Sequence, residues 1–278
     1  MTAETETHAD SPEKDIRMTI WEHLAELRSR LIKSAAAVLI SAVVAYSFHE
    51  EILAWLLKPW NDSWLKRFGP DKPSKLIALG VGDVFIGYFQ LSLMTGIVAA
   101  VPVIFYQLWA FISPGLYKKE KRLIIPFVLF STILFVGGVL FGYFVAYPFT
   151  FDFFLSQNGV IGAITGANGP IGGTEVITEP TLELYLDFQT RALLAFGIVF
   201  ELPLFLSFLI LGKIVTPKQL VKFSRWAIII AFVAGAIVTP GTDIWSQICV
   251  SGALIGLYFA SLPIAYVLGP KGKKADSS

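Results

Sequence analysis

Charge is scarce in this chain. Asp, Glu, Lys and Arg make up 15% of its 278 residues, where a soluble domain of this size carries about 25%. Cysteine is scarcer still: Cys249 stands alone, so no intrachain disulfide can form, and its apolar neighbours suit a small buried hydrophobe. Three histidines, His8, His23 and His49, are scattered without an HExxH motif or cysteine partners, so no metal site is expected. No G-x-x-x-x-G-K-[ST] loop is present; "GPDKPSK" and "GPKGKK" have the wrong spacing to cradle a nucleotide. No serine lies in a G-x-S-x-G context. These absences argue against hydrolysis, against a bound cofactor and against an enzyme altogether. Transport or scaffolding is what remains.

Apolar residues are abundant instead, at 55% of the chain, with a mean hydropathy of +0.66. Positions 123–151 and 244–270 carry no Asp, Glu, Lys or Arg, and 192–212 carries only Glu201. Each run is long enough to cross about 30 Å of hydrocarbon as a helix. The expected fold class is an all-α polytopic membrane protein with six transmembrane helices in one bundle. The spans are expected at 31–48, 84–112, 123–147, 192–211, 226–238 and 244–268. At 1.5 Å per residue the second would run about 43 Å, and must tilt, bend at Pro102 or protrude. The fifth would run only about 20 Å and thin the bilayer or hide among its neighbours. No inverted repeat and no domain boundary is visible. The expected organisation is a disordered tail over 1–17, one six-span domain over 18–268, and a basic tail over 269–278.

The positive charges orient the bundle. The N-terminal segment carries Lys14, Arg17, Arg28, Arg30 and Lys33; Lys118, Lys119, Lys121 and Arg122 follow the second span, and Lys213, Lys218, Lys222 and Arg225 follow the fourth. Lys271, Lys273 and Lys274 follow the sixth, whereas 123–190 holds no Lys or Arg at all. Both termini are therefore expected in the cytoplasm. The 49–83 loop, with five basic and five acidic residues, does not vote. Its opening "EEILAWLLKPWNDSWL" reads as a short helix in the outer interface, rich in tryptophan. The start of the chain is acidic and polar, unlike a cleavable signal peptide. A Gly-rich stretch, "GAITGANGPIGGTE", reads as a flexible external turn.

Four stretches could carry function. In "TIWEHLAELRSRL", Thr19 and Glu22 fit a capping box, and His23, Glu26 and Arg30 share a face. Glu26 can pair with Arg30 at i,i+4 or offer its carboxylate to a basic ligand. In "YQLWAFISPGLYKKEKR", Glu120 stands among four cations, as a neutraliser of its loop or as a docking group braced by Pro114 and Tyr117. In "FELP", Pro203 removes an N–H next to Glu201, which kinks the helix beside an intramembrane acid. In "VTPGTDIWSQ", Asp243 suits the cap of the sixth span.

Taken together, these stretches resemble the TatC family, the core subunit of the twin-arginine protein translocase. The resemblance runs from about residue 18 to 268, through "HLAELRSRL", "PVIFYQLWAFISPGLYKKEKR", "GYFVAYPFTF", "LLAFGIVFELP" and "VTPGTDIWSQ" in order. It implies a receptor for Arg-Arg signal peptides of folded precursors, working with TatA- and TatB-like single-span subunits, self-associating in the cytoplasmic (inner) membrane, and driven by the proton-motive force without nucleotide. Lipids are then partners; nucleic acid is not. It maps signal-peptide binding onto Glu26 and Glu120, supported by His23, Arg28, Phe111, Pro114 and Tyr117. It ties Pro59, Asp83, Pro148, Glu201 and Asp243 to translocation or assembly. The rivals are a secondary transporter of a small solute with Glu201 as proton carrier, which calls for an inverted repeat, and a purely structural membrane scaffold, which gives no reason for Glu26 and Glu120 to sit on short cytoplasmic elements.

Overall fold

The computed structural model describes residues 20–71, 73–112, 124–152, 155, 180–238 and 244–268. The two tails, the Gly-rich stretch, and Pro114, Tyr117, Glu120 and Asp243 lie outside the described residues. So does Thr19 of the expected capping box.

Among the described residues the chain is nearly all helix. The elements are α1 (Ile20–Tyr46), α2 (His49–Phe68), α3 (Asp83–Ile112), α4 (Ile124–Phe141), α5 (Leu182–Phe200), α6 (Leu202–Leu211), α7 (Pro217–Val238) and α8 (Ile244–Leu268). Six helical stretches are long and apolar enough to cross a membrane: Ile20–Tyr46, Asp83–Ile112, Ile125–Asp152, Leu182–Leu211, Pro217–Ala236 and Gln247–Val267. The six-span expectation holds, with two kinds of correction. Helices start ahead of their apolar runs, the first at Ile20 rather than 31, the fourth span at Leu182 rather than 192, and the fifth at Pro217 rather than 226. The fifth helix is not short: α7 has 22 residues, about 33 Å, because helix continues through the polar turn Lys218–Arg225 ahead of the apolar run. Those long cationic side chains can reach the interface while their stems stay with the helix. The second correction concerns α2. It is longer than expected, a 20-residue helix whose Leu56, Pro59, Trp60 and Ser63 are buried against the bundle.

Lipid offers helices no hydrophobic reason to associate, so close packing and hydrogen bonds must hold them. Both are present. At Gly96 of α3, a Cβ would lie 2.6 Å from the backbone N of Ala42, so α1 and α3 touch backbone to backbone. Gly138 of α4 lets the carbonyl oxygen of Phe196 approach in the same way. The main core gathers at the α2 end of the bundle, from Leu56, Trp60, Leu91, Tyr143, Tyr147, Phe151, Tyr185, Leu186 and Leu193. Hydrogen bonds run through it. Tyr185 Oη and Gln189 Nε2 both donate to the carbonyl of Leu56, at 3.0 and 3.2 Å, and Tyr147 Oη donates to the carbonyl of Gln189 at 2.5 Å. Tyr185 and Gln189 of α5 thus bolt α2 onto the spans, and Tyr147 ties its own span to α5.

Two irregularities follow from single residues. After Phe141 the fourth helix widens into a π-helical turn, Gly142–Ala146, which turns Tyr143 inward. Between α5 and α6 the helix is interrupted at Glu201, two residues before Pro203, whose missing N–H ends the regular ladder. A parallel bridge from Ile77 to Thr181 ties the loop before α3 to the start of α5, where Thr181 caps the helix by accepting from Leu184 N.

Candidate functional site

At the N-terminal end of α1, helical spacing puts His23, Glu26 and Arg30 on the face that meets the end of α3. His23 stacks on Phe111, centroids 4.3 Å apart and 16° from parallel. Arg30 Nε donates to Glu26 Oε1 at 2.9 Å, and a second guanidinium nitrogen donates to the same oxygen. A third reaches Oε1 of Gln107 at 3.3 Å. Both ionic side chains are largely shielded, Arg30 at 22% and Glu26 at 19% exposure. The geometry leaves Glu26 half used: Oε1 takes both guanidinium bonds, while Oε2 is buried with no hydrogen-bond partner. A carboxylate in this state can accept a further cationic donor, and a planar guanidinium fits it better than an ammonium. Arg28 is not part of this cluster. It lies on the exposed side of α1, along a groove with Trp21, Leu24 and Lys33. Glu120, Pro114 and Tyr117 fall outside the described residues, so the second carboxylate stays an expectation.

Farther into the bundle, Glu201 faces α4. The Ser131 hydroxyl lies beside its carboxyl, and Ser131 accepts from Trp109 Nε1 at 3.1 Å. The carboxyl's Oε1 is buried and unpartnered. Three spans therefore contribute to one polar notch: Trp109 from α3, Ser131 from α4 and Glu201 from the α5–α6 break. Sequence reading found the acid and the break but not Trp109 and Ser131. Nor did it find Gln107 beside Arg30. The signal was there in all three, as polar atoms inside otherwise apolar runs.

The remaining expected residues sit at the opposite end. Pro59 and Pro148 line one cavity of about 540 Å³. Asp83 starts α3, where its Oδ2 accepts from the backbone N–H groups of Leu79 and Gly80 at 3.0 and 2.6 Å. Pro59 has a visible local effect. It cannot donate to the carbonyl of Trp55, four residues earlier, and Tyr143 Oη takes that place at 2.6 Å while its ring stacks on Trp55. Asp243 is outside the described residues. Among the described residues, no three His, Cys, Asp or Glu side chains converge to hold a metal ion.

Six spans, backbone-close helix crossings, a half-occupied carboxylate at one rim and a second acid at a broken helix define a polytopic membrane protein built around polar sites. Comparison with known proteins makes this specific. The family model described as Sec-independent protein translocase protein (TatC) matches residues 22–252. The chain belongs to the TatC family. It is 39% identical over 256 residues to the Sec-independent protein translocase protein TatC of Desulforapulum autotrophicum, covering 92% of this chain and 86% of that one. It is 36% identical over 263 residues to the TatC of Aquifex aeolicus, covering 94% of this chain and all of that one (100%). A crystal structure of the twin arginine translocase receptor TatC in DDM superposes with a TM-score of 0.72 at 36% identity, covering 88% of this chain and 99% of that one.

Proposed function

We propose that this chain is the receptor core of a twin-arginine translocase: it binds the Arg-Arg signal peptides of folded precursors at its cytoplasmic face, and moves them across the inner membrane with TatA- and TatB-like single-span subunits and the proton-motive force. Both termini face the cytoplasm in this reading, in line with the cations at the ends of the first, second, fourth and sixth spans. The observation that carries it is Glu26, a shielded carboxylate already shaped around one guanidinium and holding a second oxygen free. An incoming arginine takes Oε2 or displaces Arg30. Glu120 supplies the second carboxylate by resemblance, and His23 on Phe111 walls the site. The signal's apolar segment then runs along the bundle toward Glu201, whose notch accepts a partner's polar side chain or a proton.

The test is photo-crosslinking of an Arg-Arg signal peptide to probes placed beside Glu26 and beside Glu120. The proposal expects labelling at both sites, competed by unlabelled peptide and lost when the arginines become glutamines. Labelling elsewhere, or labelling indifferent to the arginines, refutes it.

A further inference from the structure

The cavity at the α2 end has a lining the signal-peptide reading does not use. One wall is aromatic: the Trp55 and Tyr143 rings stack 3.7 Å apart, and Phe144 beside them turns an exposed face outward. The other wall is charged. Lys58, Asp62 and Lys66 stand at i, i+4 and i+8 on α2, all lining the same space. Neighbours at this spacing would ordinarily pair, yet among the described residues neither Lys58 nor Asp62 has an ion-pair partner; Lys66 alone makes a loose contact, 3.9 Å to Asp152. The floor holds Ser63, 2% exposed, whose hydroxyl has no hydrogen-bond partner. A buried hydroxyl without an acceptor is costly, and such groups ordinarily have a partner in the protein, water or a ligand.

A cation and an anion unpaired among the described residues and an orphan hydroxyl, set against aromatics between α2 and the fourth helix, match one kind of molecule. We propose that this cavity binds the headgroup of a zwitterionic phospholipid. Its phosphate sits against Lys58 and Ser63, its ammonium against Asp62, and its acyl chains run down the exposed faces of Leu65 and Phe144. With Lys66 turned toward Asp152, the balance of Lys58 against Asp62 is what selects the zwitterion. An anionic lipid would meet Asp62 as well as Lys58, and a soluble anion would leave the apolar wall unused. Pro59 and Pro148, which line the same cavity, hold its two sides as a rigid helix and its partner span rather than touching the headgroup.

Native mass spectrometry of the full chain in detergent micelles tests this directly, titrating phosphatidylethanolamine, phosphatidylglycerol and soluble phosphoethanolamine. The site predicts saturable binding of the zwitterionic lipid in preference to the anionic one, with no comparable binding of phosphoethanolamine. Lys58→Gln should weaken both lipids by about fivefold, the scale of one accessible charge contact. Asp62→Asn should weaken the zwitterionic lipid and strengthen the anionic one, reversing the preference. Lys58 and Asp62 are exposed, so neither change threatens folding; Lys33→Gln, at the other end of the bundle, should change nothing. Equal binding by wild type and both α2 variants would overturn the proposal, as would an anionic preference in wild type, tight binding of phosphoethanolamine alone, or an equal loss in Lys33→Gln.

Discussion

Tyr143 and Pro59 should be coupled, and the coupling can be measured. Proline at 59 leaves the Trp55 carbonyl without its helical donor, and the Tyr143 hydroxyl, 2.6 Å away, replaces it. Tyr143→Phe keeps the ring stacked on Trp55 but removes the donor. A carbonyl left unsatisfied in a packed interface costs about 1–3 kcal/mol, so the variant should lose stability in that range. Pro59→Ala restores a backbone N–H at the position where α2 needs it. In that background the hydroxyl becomes redundant, and Tyr143→Phe should cost no more than about 0.5–1 kcal/mol, the net worth of an ordinary hydrogen bond. The coupling energy of the double-mutant cycle is then about 0.5–2 kcal/mol. Reversible unfolding of the purified chain in mixed micelles, titrated with a denaturing detergent, gives all four free energies. If Tyr143→Phe costs the same in the wild-type chain as in the Pro59→Ala background, the carbonyl is satisfied some other way and the proline has no such role.

The close α1–α3 crossing predicts that Gly96→Ala is destabilising by about 1–3 kcal/mol, because the added Cβ meets the Ala42 backbone at 2.6 Å and backbone cannot swing aside; an unchanged unfolding midpoint in the same titration would show that the helices can separate freely. For Glu201, the Gln variant should keep partial transport because an amide can still bond Ser131, whereas Ala empties the notch and should impair transport while sparing signal-peptide binding; transport by the Ala variant at the wild-type rate would make the residue mere filler. At the rim, Glu26→Ala or Glu120→Ala should each weaken signal-peptide binding by about 1–3 kcal/mol, roughly 5- to 150-fold. An Arg-Arg to Lys-Lys change in the peptide should then cost much less in the double variant than in wild type, since the discriminating carboxylates are gone; an equal loss in both, read by titration with labelled peptide, would sink the docking account.

The chain announces its spans because a bilayer imposes a simple requirement on composition: some twenty apolar residues per crossing. That requirement is local, so hydropathy alone locates all six and the cation pattern suggests their sense. It fails where polar residues remain helical. The start of α7 carries Lys218, Lys222 and Arg225 within the helix, so an apolar count cuts it short. Likewise α2 looks amphipathic and interfacial, yet its buried side rests on Tyr185 and Gln189, more than a hundred residues away. Neither partner announces itself in α2's own sequence.

The same division runs through the functional residues. Glu26, Glu201 and Pro203 stood out because an acid or a proline in a membrane helix has few cheap explanations. The i,i+4 pairing of Glu26 with Arg30 was equally open to inspection, since one turn of helix dictates it. The sequence by itself thus determined the six crossings, the broken fourth span and the carboxylates worth asking about, all of them consequences of local composition and helical period. Only the tertiary structure decided that Gln107 completes the Arg30 contact, that Trp109 and Ser131 furnish the Glu201 notch, and that Tyr143 stands in for the hydrogen bond Pro59 cannot make. Those facts depend on which faces of separate helices meet, and in lipid that is fixed by small-residue crossings and a few buried hydrogen bonds between residues far apart in the chain, not by any pattern within one segment.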